Sequence, residues 1–226
     1  MIFHPPGFYG AIHEKMITVV YGDCRPLFHA NLFSHLFNPL SDTMKNRILE
    51  TKRKEHRAYR LMAHLILDAL YKKEFGAPLP EIHITDLGKP YIEGGPAINV
   101  SHDAGFVAVA MSKDFKELGV DIQREPNPIM ASRVRRRFLT PPPPYQKASP
   151  ALEFMMAHAE TNGIDFSPAH PFGNPSSFLC DYVRAEAVMK MSGGGFADFP
   201  RLRDLCAECE TTLIPMDDIA IGLAYR

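Results

Sequence analysis

The stretch Leu118-Gly119-Val120-Asp121-Ile122-Gln123 decides how the rest of the chain is interpreted. Side chains alternate between the two faces of a strand, so the aliphatic residues share one face and Asp121 and Gln123 share the other. Two oxygen-bearing side chains on one face suit Mg²⁺, which takes oxygen ligands in octahedral geometry. The alternative interpretation is an aspartate near a strand end that is solvated or caps a loop.

The pattern of strands and helices begins again at Leu118. Before it, two short apolar segments are joined by Ser101-His102-Asp103-Ala104, as in a tight connection between neighbouring strands. We therefore predict an α+β fold of two similar halves, residues 1–113 and 114–226. The predicted strands cover residues 17–21, 81–85, 97–100, 105–111, 118–123, 211–215 and 219–225, and the predicted helices residues 43–75, 129–138 and 179–191.

Composition limits the class of protein. The chain has 226 residues, 46% hydrophobic and 23% charged, with a formal net charge of -1 at pH 7. This balance argues against a general nucleic-acid binder, which would more often be basic. No apolar run approaches the roughly 20 residues of a membrane span, and the first residues lack the layout of a signal peptide. We expect a cytoplasmic protein that binds neither nucleic acid nor a membrane.

The four cysteines are too few and too unevenly spaced for a disulfide framework, so reduced thiols are expected. Cys206 and Cys209 have the spacing of half a zinc site, but no second cysteine pair or paired histidine motif accompanies them. Two partly buried thiols are the alternative interpretation.

Charged side chains recur in the predicted helix over residues 179–191. The helical repeat places Tyr182, Glu186 and Lys190 on one stripe, so that a carboxylate and an amine project together. The alternative is an ordinary surface ion pair, worth about 0.2–0.5 kcal/mol. The glycine run Ser192-Gly193-Gly194-Gly195 follows.

Two motifs precede these, Gly88-Lys89-Pro90-Tyr91 and Asn99-Val100-Ser101-His102. Alone, a histidine between two strands is usually a hydrogen-bonded structural residue. Together with the motifs around Asp121 and Glu186, and in this order, the set resembles the 4′-phosphopantetheinyl transferases. The resemblance covers most of residues 17–225.

The resemblance implies two similar α+β halves in one chain, with coenzyme A and the active site in the cleft between them, acting as a monomer. It implies a Mg²⁺-dependent reaction that moves the phosphopantetheine arm of coenzyme A onto a serine of an acyl or peptidyl carrier protein and releases 3′,5′-ADP. Coenzyme A and the carrier protein are therefore the expected partners.

The resemblance also implies roles for individual residues. Asp121 and Glu186 would hold Mg²⁺, with Gln123 as a further oxygen ligand or as the holder of a metal-bound water. Glu186 would take the serine proton, and Lys190 would stabilise charge on the leaving nucleotide. The residues expected along coenzyme A are Lys89, Ser101, His102 and Lys190.

Basic side chains are expected near phosphates and near the carrier protein. His102 would hydrogen-bond a phosphate oxygen. The cluster from Lys52 to Arg60 faces either the 3′-phosphate or solvent. Carrier proteins of this kind typically present an acidic helix, and Arg133 and Arg135–Arg137 lie on the segment that would face it.

The chain departs from the family pattern at several positions. Gln123 stands where many members have glutamate, and Ala185 stands where the family has a lysine near the pyrophosphate. Tyr182 replaces a tryptophan, and Thr140 with Pro141–Pro144 replaces an acidic residue. The alternative function is therefore a divergent, weakly active or inactive relative that binds coenzyme A or a carrier protein. A Mg²⁺-dependent hydrolase is a third candidate, although the sequence shows no dedicated water-activating cluster.

Overall fold

The computed structural model describes residues 8–14, 16–124, 177–195, 198, 201–216 and 219–226. The mixture of helices and antiparallel strands in these ranges confirms the α+β class. The strands are β1 (Phe8–Glu14), β2 (Ile17–Asp23), β3 (His83–Ile84), β4 (Pro90–Tyr91), β5 (Ala97–Asp103), β6 (Phe106–Ser112), β7 (Leu118–Arg124), β8 (Glu210–Met216) and β9 (Ile219–Tyr225). The helices are α1 (Ala30–Phe37), α2 (Asp42–Leu49), α3 (Lys54–Phe75), α4 (Ser177–Ser192) and α5 (Leu202–Ala207), with a short 3₁₀ helix at Arg25–Phe28.

The described residues form two compact units. The first comprises those up to His83 together with Pro90–Asp114, and the second comprises Ile84–Lys89 together with those from Phe115 to Arg226. The sequence predicts a division after residue 113 and a likeness between the halves. The likeness stays a prediction.

The first unit is built on an antiparallel sheet with the strand order β1-β2-β6-β5. Helix α3 packs against β6 on one face of this sheet. Because strand side chains alternate, Asn99 and Ser101 face the opposite side from Ile98 and Val100, and both are buried there. The core between helix and sheet contains Ala58, Leu61, Met62, Ile66, Leu67 and Leu70 from α3, and Val20, Ile98, Val107, Val109 and Met111 from the strands.

The hairpin between β5 and β6 is tighter than the sequence predicts. The predicted connection over residues 101–104 is wrong, because strand pairing continues to Asp103 opposite Phe106. Only Ala104 and Gly105 form the turn, with φ angles of 46° and 94°. A two-residue turn with both φ values positive matches the right-handed twist of the strands. His102 therefore lies on a strand, where its side-chain direction is fixed.

The single helix predicted over residues 43–75 is also wrong, because the structure has two helices, α2 and α3, separated by residues 50–53. Helix α2 ends at Leu49 without a glycine, so its last carbonyls need other partners. Arg57 donates to Leu49 O at 3.2 Å and to Thr51 O at 2.6 Å. Arg60 donates to Arg47 O at 2.6 Å. Two guanidinium groups of the basic cluster thus join the end of α2 to α3.

We expect Arg57→Met to lower the free energy of unfolding by about 1–2 kcal/mol, because two carbonyls lose a charged donor. Lys54→Met is the matched control, since Lys54 lies exposed near the start of the same helix. Urea unfolding of both variants measures the difference. Equal stability of the two would show that the carbonyls are satisfied by water.

His64 makes the first unit sensitive to acid. Its Nδ1 is buried without a hydrogen-bond partner among the described residues. Burial lowers the pKa of His64, while Asp68 raises it and Lys72 lowers it further. The unfolded chain therefore takes up a proton at higher pH than the folded chain does. The contribution of His64 to the free energy of unfolding is therefore complete above about pH 6.5, and it is lost as the pH falls toward the lowered pKa of His64.

We expect His64→Leu to reduce this loss. Between pH 7 and pH 5 the free energy of unfolding of the wild type should fall more steeply than that of the variant, as measured by urea unfolding across that range. Parallel curves would show that His64 does not titrate on unfolding.

The second unit has a three-stranded antiparallel sheet with the order β7-β9-β8. Helix α4 packs across β7 and β9. The strands predicted over residues 118–123 and 219–225 and the helix predicted over residues 179–191 are confirmed to within two residues. Gly119 of β7 and Gly222 of β9 lie directly against the helix backbone, at Met191 and Val183. The helix can approach this closely because neither glycine has a side chain.

Several predictions concern residues outside those described. They are the helix over residues 129–138, the arginines at 133 and 135–137, and the segment around Pro141–Pro144. Within the part of the chain that the structure describes, no helix combines the length and the apolar character that crossing a bilayer requires.

Candidate active site

Three predicted site residues meet in the second unit, at the contact between β7 and α4. Lys190 Nζ lies 2.5 Å from Asp121 Oδ1 and 4.0 Å from Glu186 Oε2. Asp121 is completely buried, and Glu186 is 9% exposed. The structure therefore brings one ammonium group between two buried carboxylates from distant parts of the sequence.

The packing of α4 sets this geometry. Asp121 is two residues beyond Gly119 on β7, so both residues lie on the face of the strand that the helix covers. Glu186 and Lys190 are one helical turn apart on α4 and point together toward Asp121. An ordinary exposed ion pair does not describe this arrangement, because the lysine also binds a fully buried carboxylate of the sheet.

The chemistry of the donors suits a hard divalent cation. Asp121 and Glu186 supply carboxylate oxygens, and Gln123 lies half-buried on the same face of β7 as Asp121. Among the residues described, no three histidine, cysteine or carboxylate side chains lie close enough to bind one metal ion. A cation here would therefore have two charged ligands, with the amide and water or substrate oxygens completing its shell.

Lys89, which is outside helix α4, lies beside the carboxyl end of this helix. Its Nζ donates to the carbonyl oxygen of Met191, where a cation is also favoured by the helix dipole. Burial lowers the pKa of Lys89, while Glu117 raises it and Arg226 lowers it. The lysine of the Gly-Lys-Pro motif thus contacts the helix that carries Glu186 and Lys190.

The glycine run after α4 forms a closed turn. Gly193 and Gly195 have φ angles of 86° and 55°, which favour glycine. Asp198 accepts hydrogen bonds from Ser192 Oγ at 2.5 Å and from Gly194 N at 3.1 Å. The run therefore ends the helix and fixes its last turn.

Ala185 and the cysteine pair lie on a different side of α4. Ala185, Cys206 and Cys209 pack against an apolar cluster formed by α4 and α5. Burial raises the pKa of Cys206 to about 12 and also raises the pKa of Cys209. Both thiols are partly buried, as the alternative interpretation states. None of the four cysteines, all of which lie within the described ranges, forms a disulfide bond.

His102 belongs to an aromatic cluster in the first unit. Its ring stacks on Tyr59, with centroids 4.5 Å apart and an interplanar angle of 13°, and His56 lies 5.4 Å from it. Tyr59 Oη accepts a hydrogen bond from Gly105 N at 2.9 Å, which ties the ring to the β5–β6 turn. Ser101 faces the opposite side of β5 and is buried.

The sequence pattern alone does not identify His56 and Tyr59 as neighbours of His102. Their separation of one helical turn, His56-x-x-Tyr59, places them on one side of α3. That signal becomes informative only when the register of β5 is known.

No protein-family model matches the chain, and the comparison with curated proteins finds no match.

Proposed function

We propose that this protein transfers the 4′-phosphopantetheine arm of coenzyme A to a serine of an acyl or peptidyl carrier protein, in a Mg²⁺-dependent reaction that releases 3′,5′-ADP. The observation that supports it most is the pairing of Lys190 with the buried Asp121 and Glu186. The cost of burying two carboxylates beside one ammonium is hard to explain by stability alone.

The proposed reaction breaks one phosphorus–oxygen bond and forms another. The serine oxygen of the carrier bonds to the phosphorus that bears the pantetheine arm, and the bond from that phosphorus to 3′,5′-ADP breaks. Mg²⁺, when bound, supplies positive charge for the pyrophosphate oxygens. Asp121, Glu186 and Gln123 are the residues that would hold it.

The remaining roles follow from the groups present. Glu186 is the base for the serine proton, because its carboxylate is close to the proposed reaction centre and keeps slight exposure. The ammonium of Lys190 stabilises charge on the departing phosphate. His102, with its exposed ring held by Tyr59, is proposed to contact a phosphate of the nucleotide. Lys89 and Ser101 stay predicted contacts of coenzyme A.

A second candidate function is binding without transfer. Ala185 packs against an apolar cluster. This position therefore has no cationic side chain, whereas the family that the sequence resembles has a lysine there. A relative that binds coenzyme A or a carrier protein would tolerate this loss. It would have no need for both Asp121 and Glu186.

Intact-mass measurement of apo carrier proteins tests the proposal. A panel of acyl and peptidyl carriers is incubated with the protein, coenzyme A and Mg²⁺, and parallel samples contain a chelator. We expect a mass gain of one phosphopantetheine arm that the chelator prevents. Coenzyme A binding without a mass gain on any carrier would favour the binding-only relative. The absence of both would contradict either function. The cytoplasmic location and the monomeric state belong to the same proposal.

A further inference from the structure

One ammonium group serves both carboxylates of the candidate metal site. Lys190 Nζ lies 2.5 Å from Asp121 Oδ1 and 4.0 Å from Glu186 Oε2. A carboxylate removed from water is strongly disfavoured unless an opposite charge stands beside it. Lys190 therefore supplies positive charge at the place where a divalent cation would supply it.

The carboxylates and the ammonium are charged groups of opposite sign. Asp121 and Glu186 together carry two formal negative charges, and Lys190 carries one positive charge. A divalent cation carries two positive charges, so it can take the place of the ammonium beside both carboxylates.

A divalent cation and the Lys190 ammonium repel each other at Asp121. Mg²⁺ holds its oxygen ligands at about 2.0–2.1 Å, and Lys190 already binds Oδ1 at 2.5 Å. Two positive charges against one oxygen repel strongly in a buried site. Asp121 is held in the interior of the sheet, whereas the side chain of Lys190 is 30% exposed and has a flexible stem. Lys190 is therefore the group that can leave.

We propose that Lys190 is a resident counter-ion that a divalent cation displaces from Asp121 and Glu186. Displacement frees its ammonium for an anionic group of the substrate. The inference rests on the proposed function only for the identity of that anion, a phosphate of coenzyme A. The competition itself involves Lys190, Asp121 and Glu186, whatever the anion is.

Mn²⁺ binding to the full chain tests the competition, with free Mn²⁺ followed by electron paramagnetic resonance. Lys190→Met keeps the length of the side chain and removes its charge. We expect the variant to bind Mn²⁺ roughly tenfold more tightly than the wild type, because the competing cation is gone. Lys116→Met is the matched control, since Lys116 is exposed in the same unit, and it should leave the affinity unchanged.

Thermal unfolding gives a second readout. Without metal, Lys190→Met should melt at a lower temperature than the wild type, because Asp121 loses the ammonium that lies beside it. Mn²⁺ should raise the melting temperature of the variant more than that of the wild type. If Lys190 had only a structural role, Lys190→Met would melt at a lower temperature than the wild type both with and without Mn²⁺.

The wild type provides a test that does not depend on a variant folding. The ¹⁵N signal of the Lys190 ammonium should change as Mg²⁺ is added. The inference is overturned if Mg²⁺ binds and leaves this signal unchanged. It is also overturned if Lys190→Met binds Mn²⁺ no more tightly than the wild type does, or if neither protein binds Mn²⁺. If Lys190→Met binds Mn²⁺ more tightly than the wild type but the wild type modifies no carrier, only the proposed function is refuted. Carrier modification with unchanged Mn²⁺ affinity would refute the inference alone.

Discussion

Asp121→Asn is expected to reduce carrier modification by about a thousandfold or more, because it removes a charged metal ligand while keeping the shape of the side chain. Glu186→Gln should have an effect at least as large, since Glu186 is also the proposed base. Both variants should stay folded. Each substitution removes one buried negative charge. The ammonium of Lys190 is not left buried without it, because the partly exposed side chain of Lys190 can extend toward water. Turnover is measured by the mass gain of the carrier protein, and folding by circular dichroism.

Glu117→Gln is the matched control for losing a carboxylate in the same unit. Glu117 Oε2 accepts a hydrogen bond from Arg226 Nε at 2.8 Å, and both side chains are partly exposed. Exposed pairs of this kind contribute little to stability, so its turnover should stay within about twofold of the wild type. Near-normal turnover of Asp121→Asn would show that the metal site is placed on the wrong residues. Equal losses in all three variants would indicate general destabilisation.

Three described elements of the second unit, β7, β9 and α4, were predictable from the sequence. β7 and β9 are short, strongly apolar strands, and α4 is a long periodic segment, so local pattern defines all three. Alternation along β7 also put Asp121 and Gln123 on one face. The pairing of Asp121 with Lys190 was not predictable from local pattern, because it depends on how closely α4 lies on the sheet. That approach is set by Gly119 and Gly222, whose importance shows only after the strands are paired.

The errors in the first unit have a similar cause. Residues 50–53 contain no glycine or proline, so nothing in the local sequence ends the predicted helix there. At the break, Arg57 and Arg60 from the following helix donate hydrogen bonds to carbonyls at and just after the end of α2. The His102–Tyr59 stack likewise joins residues that are distant in sequence, and only tertiary packing reveals it. Contacts between elements are therefore what sequence reasoning missed.

Gly119→Ala is expected to lower the free energy of unfolding by about 3 kcal/mol. A Cβ at this position would lie 2.5 Å from Met191 N and 2.9 Å from Met191 Cα, and closer still to Ala187 O. All three are backbone atoms of α4, so no side-chain rotation relieves the overlap, and the helix must move away from β7. The same movement separates Glu186 and Lys190 from Asp121. We therefore expect both a lower urea midpoint and slower carrier modification.

Gly222→Ala should act in the same direction, because its Cβ would lie 2.7 Å from the carbonyl carbon of Val183 on the same helix. Gly76→Ala is the matched control. Gly76 ends α3 with a φ of 65°. Apart from its neighbours in the chain, no described residue has an atom within 4 Å of the place its Cβ would take, so the change costs only backbone strain, about 1 kcal/mol. If Gly119→Ala were no more destabilising than Gly76→Ala, α4 would not be held against the sheet by these glycines. The close pairing of Asp121 with Lys190 would then need another physical cause, because the distance between strand and helix would no longer be set by the missing side chains.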